Sequence, residues 1–389
     1  MKILLKNAGI YGADTADILV EDGVITGIGS FDAADEIHDL SGYAAVLPGV
    51  IDAHMHIVTG DIEYNDRALR AWAKAGVTTV RDLGMGNDKN DHPTQEFLAY
   101  RDTIEVPECA HCLTAGRFVA QWHGLNHIMS DGNETGYGCK TPEDAVKAVN
   151  ELIDMGCDGI KTSVGRGMDG KSEVLDVAKL KAIADTAKAR GVWVTCHVLD
   201  ADLIPRLLEA GMPEFAHMPT DYVSDELLKQ MAEAGVTCTP TLMSINAPRP
   251  PMPKGMKPPK MPPMPKDMPP MKSPQEQEDI CVDNVRRFVE FGGIVAVGTD
   301  TMRMESQPHV ACMPVKELQL LHKAGLSVPQ VIDAATITAA KLCKIDDQVG
   351  SIEVGKQANI IAVKDPIDET FEALSHVEFV MNRGKVIKE

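Results

Sequence analysis

Two histidines one residue apart, His54 and His56, close the stretch Pro48-Gly49-Val50-Ile51-Asp52-Ala53-His54-Met55-His56. The apolar run Ala44, Ala45, Val46, Leu47 leads into it, and on a strand residues i and i+2 leave from one face, so both imidazoles point the same way. Two neutral imidazoles side by side are half of a metal site. A strand that merely ends in two histidines has the same pattern, so the other ligands must come from elsewhere in the chain. Four candidates each close an apolar run: Lys161 after Gly159-Ile160, His197 after Val194-Thr195-Cys196, His217 after Phe215-Ala216 and Asp300 after Val297-Gly298-Thr299. A lone histidine at a strand end is more often a hydrogen-bond partner than a ligand. An ordered set in step with successive strands is far harder to assemble by accident.

Residues so far apart converge only if their strands lie side by side with their C-terminal ends together. The middle of the chain predicts such strands at Val46 to His54, Thr78 to Asp82, Cys112 to Gly116, Gly159 to Thr162, Trp193 to His197, Glu214 to His217, Val236 to Pro240 and Ile294 to Thr299. Amphipathic patterns between them predict helices over Asp66 to Ala75, Pro142 to Met155, Leu175 to Arg190, Ala201 to Ala210, Ser224 to Ala234 and Glu276 to Phe291. Eight strands alternating with helices imply parallel pairing, and the simplest closure is an α/β (β/α)8 TIM barrel over residues 48–344. An open doubly wound sheet is the alternative, but no Gly-rich phosphate loop follows an early strand. Both ends read differently. Ile3 to Leu5, Ile18 to Glu21 and Val24 to Ile28, with the turn Glu21-Asp22-Gly23, predict a small antiparallel sheet, and Asn359 to Val363 and Val377 to Met381 repeat the style. Residues 1–47 and 345–389 are therefore expected to pair into one composite β-sandwich domain. The Pro/Met/Lys-rich run 247–274 cannot be helical, and emerges beside the barrel mouth as a semi-rigid lid or a disordered insertion.

A chain of 389 residues with 44% hydrophobic and 24% charged residues can bury a large core. Its net charge of -19 argues against nucleic acid or an anionic membrane as partner. The first apolar run, Ile3 to Leu5, is too short for a signal peptide, and no stretch is long enough to span a bilayer. The 9 cysteines, an odd and scattered set, suit a reducing compartment, and a cytoplasmic location is expected. Cys109-Ala110-His111-Cys112 is a C-x-x-C without a second pair, and carries little weight.

With these residues in place, the chain resembles the amidohydrolase superfamily, in particular its imidazolonepropionase-like and Xaa-Pro-dipeptidase-like members. The resemblance runs through Leu47 to His56, Ala75-Gly76-Val77-Thr78-Thr79-Val80-Arg81-Asp82, Gly159-Ile160-Lys161, His197, His217, Gly298-Thr299-Asp300 and the tail Gly350-Ser351-Ile352-Glu353-Val354-Gly355-Lys356. It implies a binuclear centre in which His54 and His56 hold the more buried ion with Asp300, and His197 and His217 hold the other. Lys161 would bridge both ions as a carbamate formed with CO2. Zinc suits the nitrogen ligands, and Mn, Co or Fe also fit a set of histidines and carboxylates. A lysine that instead pairs with a substrate carboxylate at a mononuclear site is the competing role for Lys161. Asp300 would accept a proton from the metal-bridging hydroxide as it attacks and pass it to the leaving amine.

The resemblance is less informative about substrate. Gln121-Trp122-His123-Gly124 stands where relatives carry Gly-Gly-His-Gly, so His123 is the candidate to polarise the substrate carbonyl beside an altered pocket. His127 and Tyr222 are further substrate-binding candidates, and Arg303 could pair with a substrate carboxylate, with Arg166 and Arg117 as rivals. The expected activity is hydrolysis of a C–N amide bond in a small polar molecule: an N-acyl amino acid, dipeptide or cyclic amide. A lactonase or other ester hydrolase could use the same site. A non-catalytic binding protein on the same scaffold is the reading from another class. Self-association into a homo-oligomer is left open.

Overall fold

The computed structural model describes residues 1–57, 61–84, 92–124, 136–166, 173–247, 272–301 and 313–389. The first four strands, β1 (Lys2–Gly9), β2 (Thr15–Glu21), β3 (Val24–Gly29) and β4 (Glu36–Asp39), form a sheet in the order β3-β2-β1-β4. It is mixed rather than wholly antiparallel. After β3 the chain crosses back and lays β4 parallel to β1, with Ile3 opposite Glu36 and Lys6 opposite Asp39. The long strand expected over Val46 to His54 is two strands, β5 (Ala45–Pro48) and β6 (Val50–Met55), divided at Gly49. A Cβ at Gly49 would stand 2.3 Å from Thr78 Oγ1, so only glycine lets the chain change sheets there.

Strands β6, β7 (Val77–Asp82) and β8 (His111–Thr114) pair in parallel. Seven more strands form a second parallel sheet: β9 (Val119–Gln121), β10 (Tyr137–Cys139), β11 (Gly159–Ser163), β12 (Trp193–His197), β13 (Glu214–Ala216), β14 (Thr237–Thr239) and β15 (Ile294–Val295). Their order is β10-β9-β11-β12-β13-β14-β15. Hydrogen bonds cross between the two sheets. On one side the backbone N–H of Ala53 donates to Val297 O at 2.9 Å and that of His56 to Thr301 O at 2.9 Å. On the other, the N–H of Asp158 donates to Thr114 O at 2.9 Å. The arrangement is TIM-like, with strands entering from one face and the candidate ligands at the other.

Helices cover the outside. Pro142–Met155 has the bounds its sequence predicts: Thr141 and Asp144 form a capping box, Pro142 fills the first turn, and Gly156 closes the end in the left-handed conformation. Its Ala145, Ala148, Val149 and Leu152 are buried against the sheet. Pro274–Glu290 starts on a similar box of Ser273 and Glu276, so Pro274 opens a helix. Residues 248–271 of the Pro/Met/Lys-rich run lie outside the described residues.

The last strands, β16 (Ile360–Val363), β17 (Phe379–Asn382) and β18 (Lys385–Lys388), join β5 in a sheet ordered β18-β17-β16-β5. Leu5, Ile18, Val20 and Val46 from one end of the chain share an apolar cluster with Ile360, Ala362, Phe379 and Met381 from the other. No helix among the described residues is long and apolar enough to cross a membrane.

Candidate metal centre

Strand β6 is buried along its whole length and delivers His54 with no exposed surface. Two residues earlier, Asp52 is equally buried. Its carboxylate accepts the N–H of His54 at 3.1 Å, the N–H of Thr299 at 3.1 Å and the hydroxyl of Thr299 at 2.6 Å. This carboxylate clamps β6 to the segment carrying Asp300, although burial outweighs the three bonds and pushes its pKa up to about 6. Gly298 permits the approach, since a Cβ there would lie 2.6 Å from the Cβ of His54. Asp300, at φ +56°, then sets Oδ1 at 3.0 Å from His56 Nε2 and 3.3 Å from His54 Nε2.

The orientation of His56 is set from its other nitrogen. Nδ1 lies 2.5 Å from Gly84 O, which places a ring proton there and turns Nε2 toward Asp300; burial would lower the imidazole, but the Asp300 carboxylate raises it above its ordinary range. Gly84 has φ +73°, and a Cβ would meet Gly116 O at 1.9 Å. Asp82 holds this turn, accepting the N–H groups of Ile57 and Gly84 at 3.0 Å each and the Thr114 hydroxyl at 2.5 Å. His217 is held in a similar way. Its Nδ1 is 2.8 Å from Thr241 Oγ1. Both residues lie in the left-handed region, at φ +76° and +50°. The turn beyond Thr241 is capped by the buried Glu317, which accepts the N–H groups of Leu242 at 3.0 Å and Met243 at 2.7 Å.

The rings converge. His54 and His217 have centroids 4.8 Å apart, His197 and His217 4.6 Å, and His54 and His56 5.4 Å. Lys161 is 1% exposed on β11, where it pairs with Thr195 while Ser163 pairs with His197. Burial lowers the Lys161 ammonium to about 8 and His197 to about 3, and drives His54 and His217 well below the usual imidazole range. Burial would raise the Asp300 carboxyl, but the surrounding histidines hold it well below the ordinary carboxylate range. The 3.3 Å approach of His54 to Asp300 is an ion-pair contact without hydrogen-bond geometry, so among the described residues neither ring nitrogen of His54 has a hydrogen-bond partner, nor has Lys161 Nζ. Buried polar atoms without partners are costly in a native interior, and a bound ligand would satisfy them. His54, His56 and Asp300 offer ligand atoms all within 4.8 Å of one another. Two imidazoles and an ionised carboxylate so arranged fit a divalent cation.

The other described candidates have contacts of their own. His123 is exposed at φ +57° in the turn between Gln121 and Gly124, with its ring centroid 5.1 Å from that of Trp122 in a T-shaped arrangement. Tyr222 is 64% exposed and lies over the Arg287 guanidinium at 4.4 Å. Arg166 makes two 2.8 Å bonds to Asp202, and Arg117 donates to Gly136 O at 2.6 Å. His127 and Arg303 lie outside the described residues. Cys109 and Cys112 are buried free thiols whose pKa burial raises. Sequence reasoning assigned no role to Asp52, Asp82, Gly84, Thr241 or Glu317. Asp52 had a signal, a carboxylate inside an apolar strand on the His54 face; Thr241 and Glu317 had none.

Residues 45–388 match the Amidohydrolase family. An imidazolonepropionase of Symbiobacterium thermophilum is 28% identical over 220 residues, 55% of this chain and 42% of its own length. A D-hydantoinase of Rhizobium radiobacter is 27% identical over 261 residues, 64% of this chain and 51% of its own. The first curated relatives are spanned to 62% of their length. Among solved structures, a Xaa-Pro dipeptidase with bound methionine in its active site superposes with a TM-score of 0.79 at 22% identity, over 100% of both chains.

Proposed function

The chain belongs to the amidohydrolase family, and from that premise we propose that it is a metal-dependent hydrolase of a C–N amide bond in a small polar molecule. A dipeptide, an N-acyl amino acid or a cyclic amide is the substrate class; relatives named imidazolonepropionase and D-hydantoinase and the fold of a Xaa-Pro dipeptidase support it. In this reading the parallel strands close into a (β/α)8 barrel, and the two chain ends form a composite β-sandwich. His54, His56 and Asp300 hold one divalent ion and His197 and His217 a second, most simply zinc. When bound, such a pair polarises the scissile carbonyl and acidifies a water.

The chain's own residues do the rest. Burial brings Lys161 down to about 8, so part of its amine is neutral near pH 7, which suits attack on CO2: a bond forms from Nζ to carbon as a carbon–oxygen π bond opens, and Nζ gives up a proton; the carbamate so formed would supply anionic oxygens to a pair of ions. Asp300, ionised and with a side chain 27% exposed, takes a proton from the attacking water and returns it to the leaving nitrogen. His123 polarises the carbonyl from the β9 turn, and His127, Tyr222 and Arg303 contact the remainder of the substrate. The net charge of -19 supports a small-molecule rather than a nucleic-acid or membrane partner, and the scattered cysteines support a cytoplasmic location. The observation that carries the proposal is the pair of buried side chains, His54 and Lys161, that have no hydrogen-bond partner among the described residues and stand beside an ionised Asp300. Elemental analysis and a hydrolysis screen over dipeptides, N-acyl amino acids, lactams and lactones test it. About two ions per chain and amide cleavage are expected; metal-free, inactive protein overturns it, and cleavage of lactones alone assigns an esterase.

A further inference from the structure

A cavity of about 800 Å³ opens at the opposite face, where strands β12 to β15 begin. Trp193 and Val194 at the start of β12, Pro213 and Glu214 at β13, Thr237 at β14 and Ile294 at β15 line it. His197 and His217 lie at the other ends of these strands, so the cavity is separate from the candidate metal centre. Its size is that of pockets that enclose small organic molecules.

Its charge runs against that of the molecule. On a chain of net charge -19, the rim carries Lys181, Lys188, Lys341 and Lys344 against only Asp185 and Glu209. Lys181 is paired with Asp185 at 2.8 Å and Lys344 donates to Gly191 O at 3.2 Å. The ammonium groups of Lys188 and Lys341 have no ion pair or hydrogen bond among the described residues. Each stands in the last turn of a helix, Val177–Ala189 and Ile337–Leu342, where a cation complements the dipole. That accounts for a lysine at each helix end, but not for a cavity between them with an apolar floor. The floor includes Trp193, 3% exposed, and Ala210, 2% exposed. Trp193 Nε1 is buried and has no hydrogen-bond partner among the described residues. The one acid at the floor, Glu214, is neutralised by a 2.9 Å bond from Arg81, so it does not repel an anion.

We propose that this cavity binds a small organic anion with an apolar body, an aryl or medium-chain carboxylate, whose head pairs with Lys188 and Lys341 and whose body lies over the apolar floor. The proposal is independent of the reaction assigned to the opposite face. The test titrates the full-length, metal-loaded protein with octanoate and with inorganic phosphate by calorimetry, in the parent and in a Lys188→Glu/Lys341→Glu variant. Both lysines are exposed and remote from the metal centre, so fold and basal activity are expected to be unchanged. The expected result is saturable binding of one octanoate per chain, about tenfold or more weaker in the variant, with phosphate bound much less well. Absence of saturable binding overturns the proposal. Equal octanoate affinity in parent and variant overturns it too, since the carboxylate would then be binding elsewhere, and phosphate bound as well as octanoate removes the apolar half.

Discussion

Replacing Thr241 by valine removes one hydroxyl and keeps the branched shape. That hydroxyl is the only described partner of His217 Nδ1, at 2.8 Å, and both residues are nearly enclosed, at 1% and 7% exposed. The variant leaves a buried ring nitrogen unsatisfied, a cost of about 1–3 kcal/mol. It also frees the imidazole to take the tautomer that blocks Nε2, the nitrogen needed for a metal. Loss of such an outer partner lowers metal affinity by roughly 10–100-fold, the range that about 1.4–2.8 kcal/mol would produce. Competition with a chromophoric chelator measures the zinc affinity, and melting of the metal-free protein separates that effect from the fold. Thr241→Ser supplies the control: it keeps Oγ and relieves some crowding at φ +50°, where branched residues are strained. Serine should bind zinc about as tightly as threonine. If valine also does, the Thr241 hydroxyl does not orient His217 and the reasoning is wrong.

Asp300→Asn should lower turnover by about 100-fold or more while the far-UV spectrum is retained, and a near-parental rate would remove the proton-transfer role. Arg81→Met strands the buried Glu214 and should cost about 3–5 kcal/mol in denaturant melts, whereas Arg81→Met/Glu214→Leu should recover much of that loss. Burial holds the folded Glu317 carboxyl at about 8, against 4.5 for an ordinary glutamate. Between those values the folded chain binds the extra proton, so this contribution is full below about 4.5 and is lost as pH rises through about 8. Because His54, His197 and His217, held neutral by burial, contribute the opposite slope below about 6.5, the readout is the difference between parent and Glu317→Gln. Relative to the variant, the parent's melting temperature should decline by several degrees across that window, at roughly 2 °C per kcal/mol for a chain of this size; identical slopes would show that Glu317 does not contribute.

The sequence alone determined the ordered set His54, His56, Lys161, His197, His217 and Asp300, the run of strands that carries it, and helices such as Pro142–Met155 whose caps are written within one turn. Each of these is local: a period of two or 3.6, a capping residue, a polar side chain closing an apolar run. The mixed pairing of β4 and the division of one expected strand at Gly49 were not legible, because they depend on which sheet lies nearby. Nor was the support of the ligands. Thr241 lies 24 residues from His217 and Gly84 lies 28 from His56, and nothing in either neighbourhood marks a partner. The left-handed backbone at His217, Thr241 and Asp300 is likewise paid for by contacts that exist only after the strands have met. Residue types and local spacing can name the groups capable of the chemistry. Which nitrogen of each ring is left free to perform it depends on acceptors that only folding brings within hydrogen-bond range.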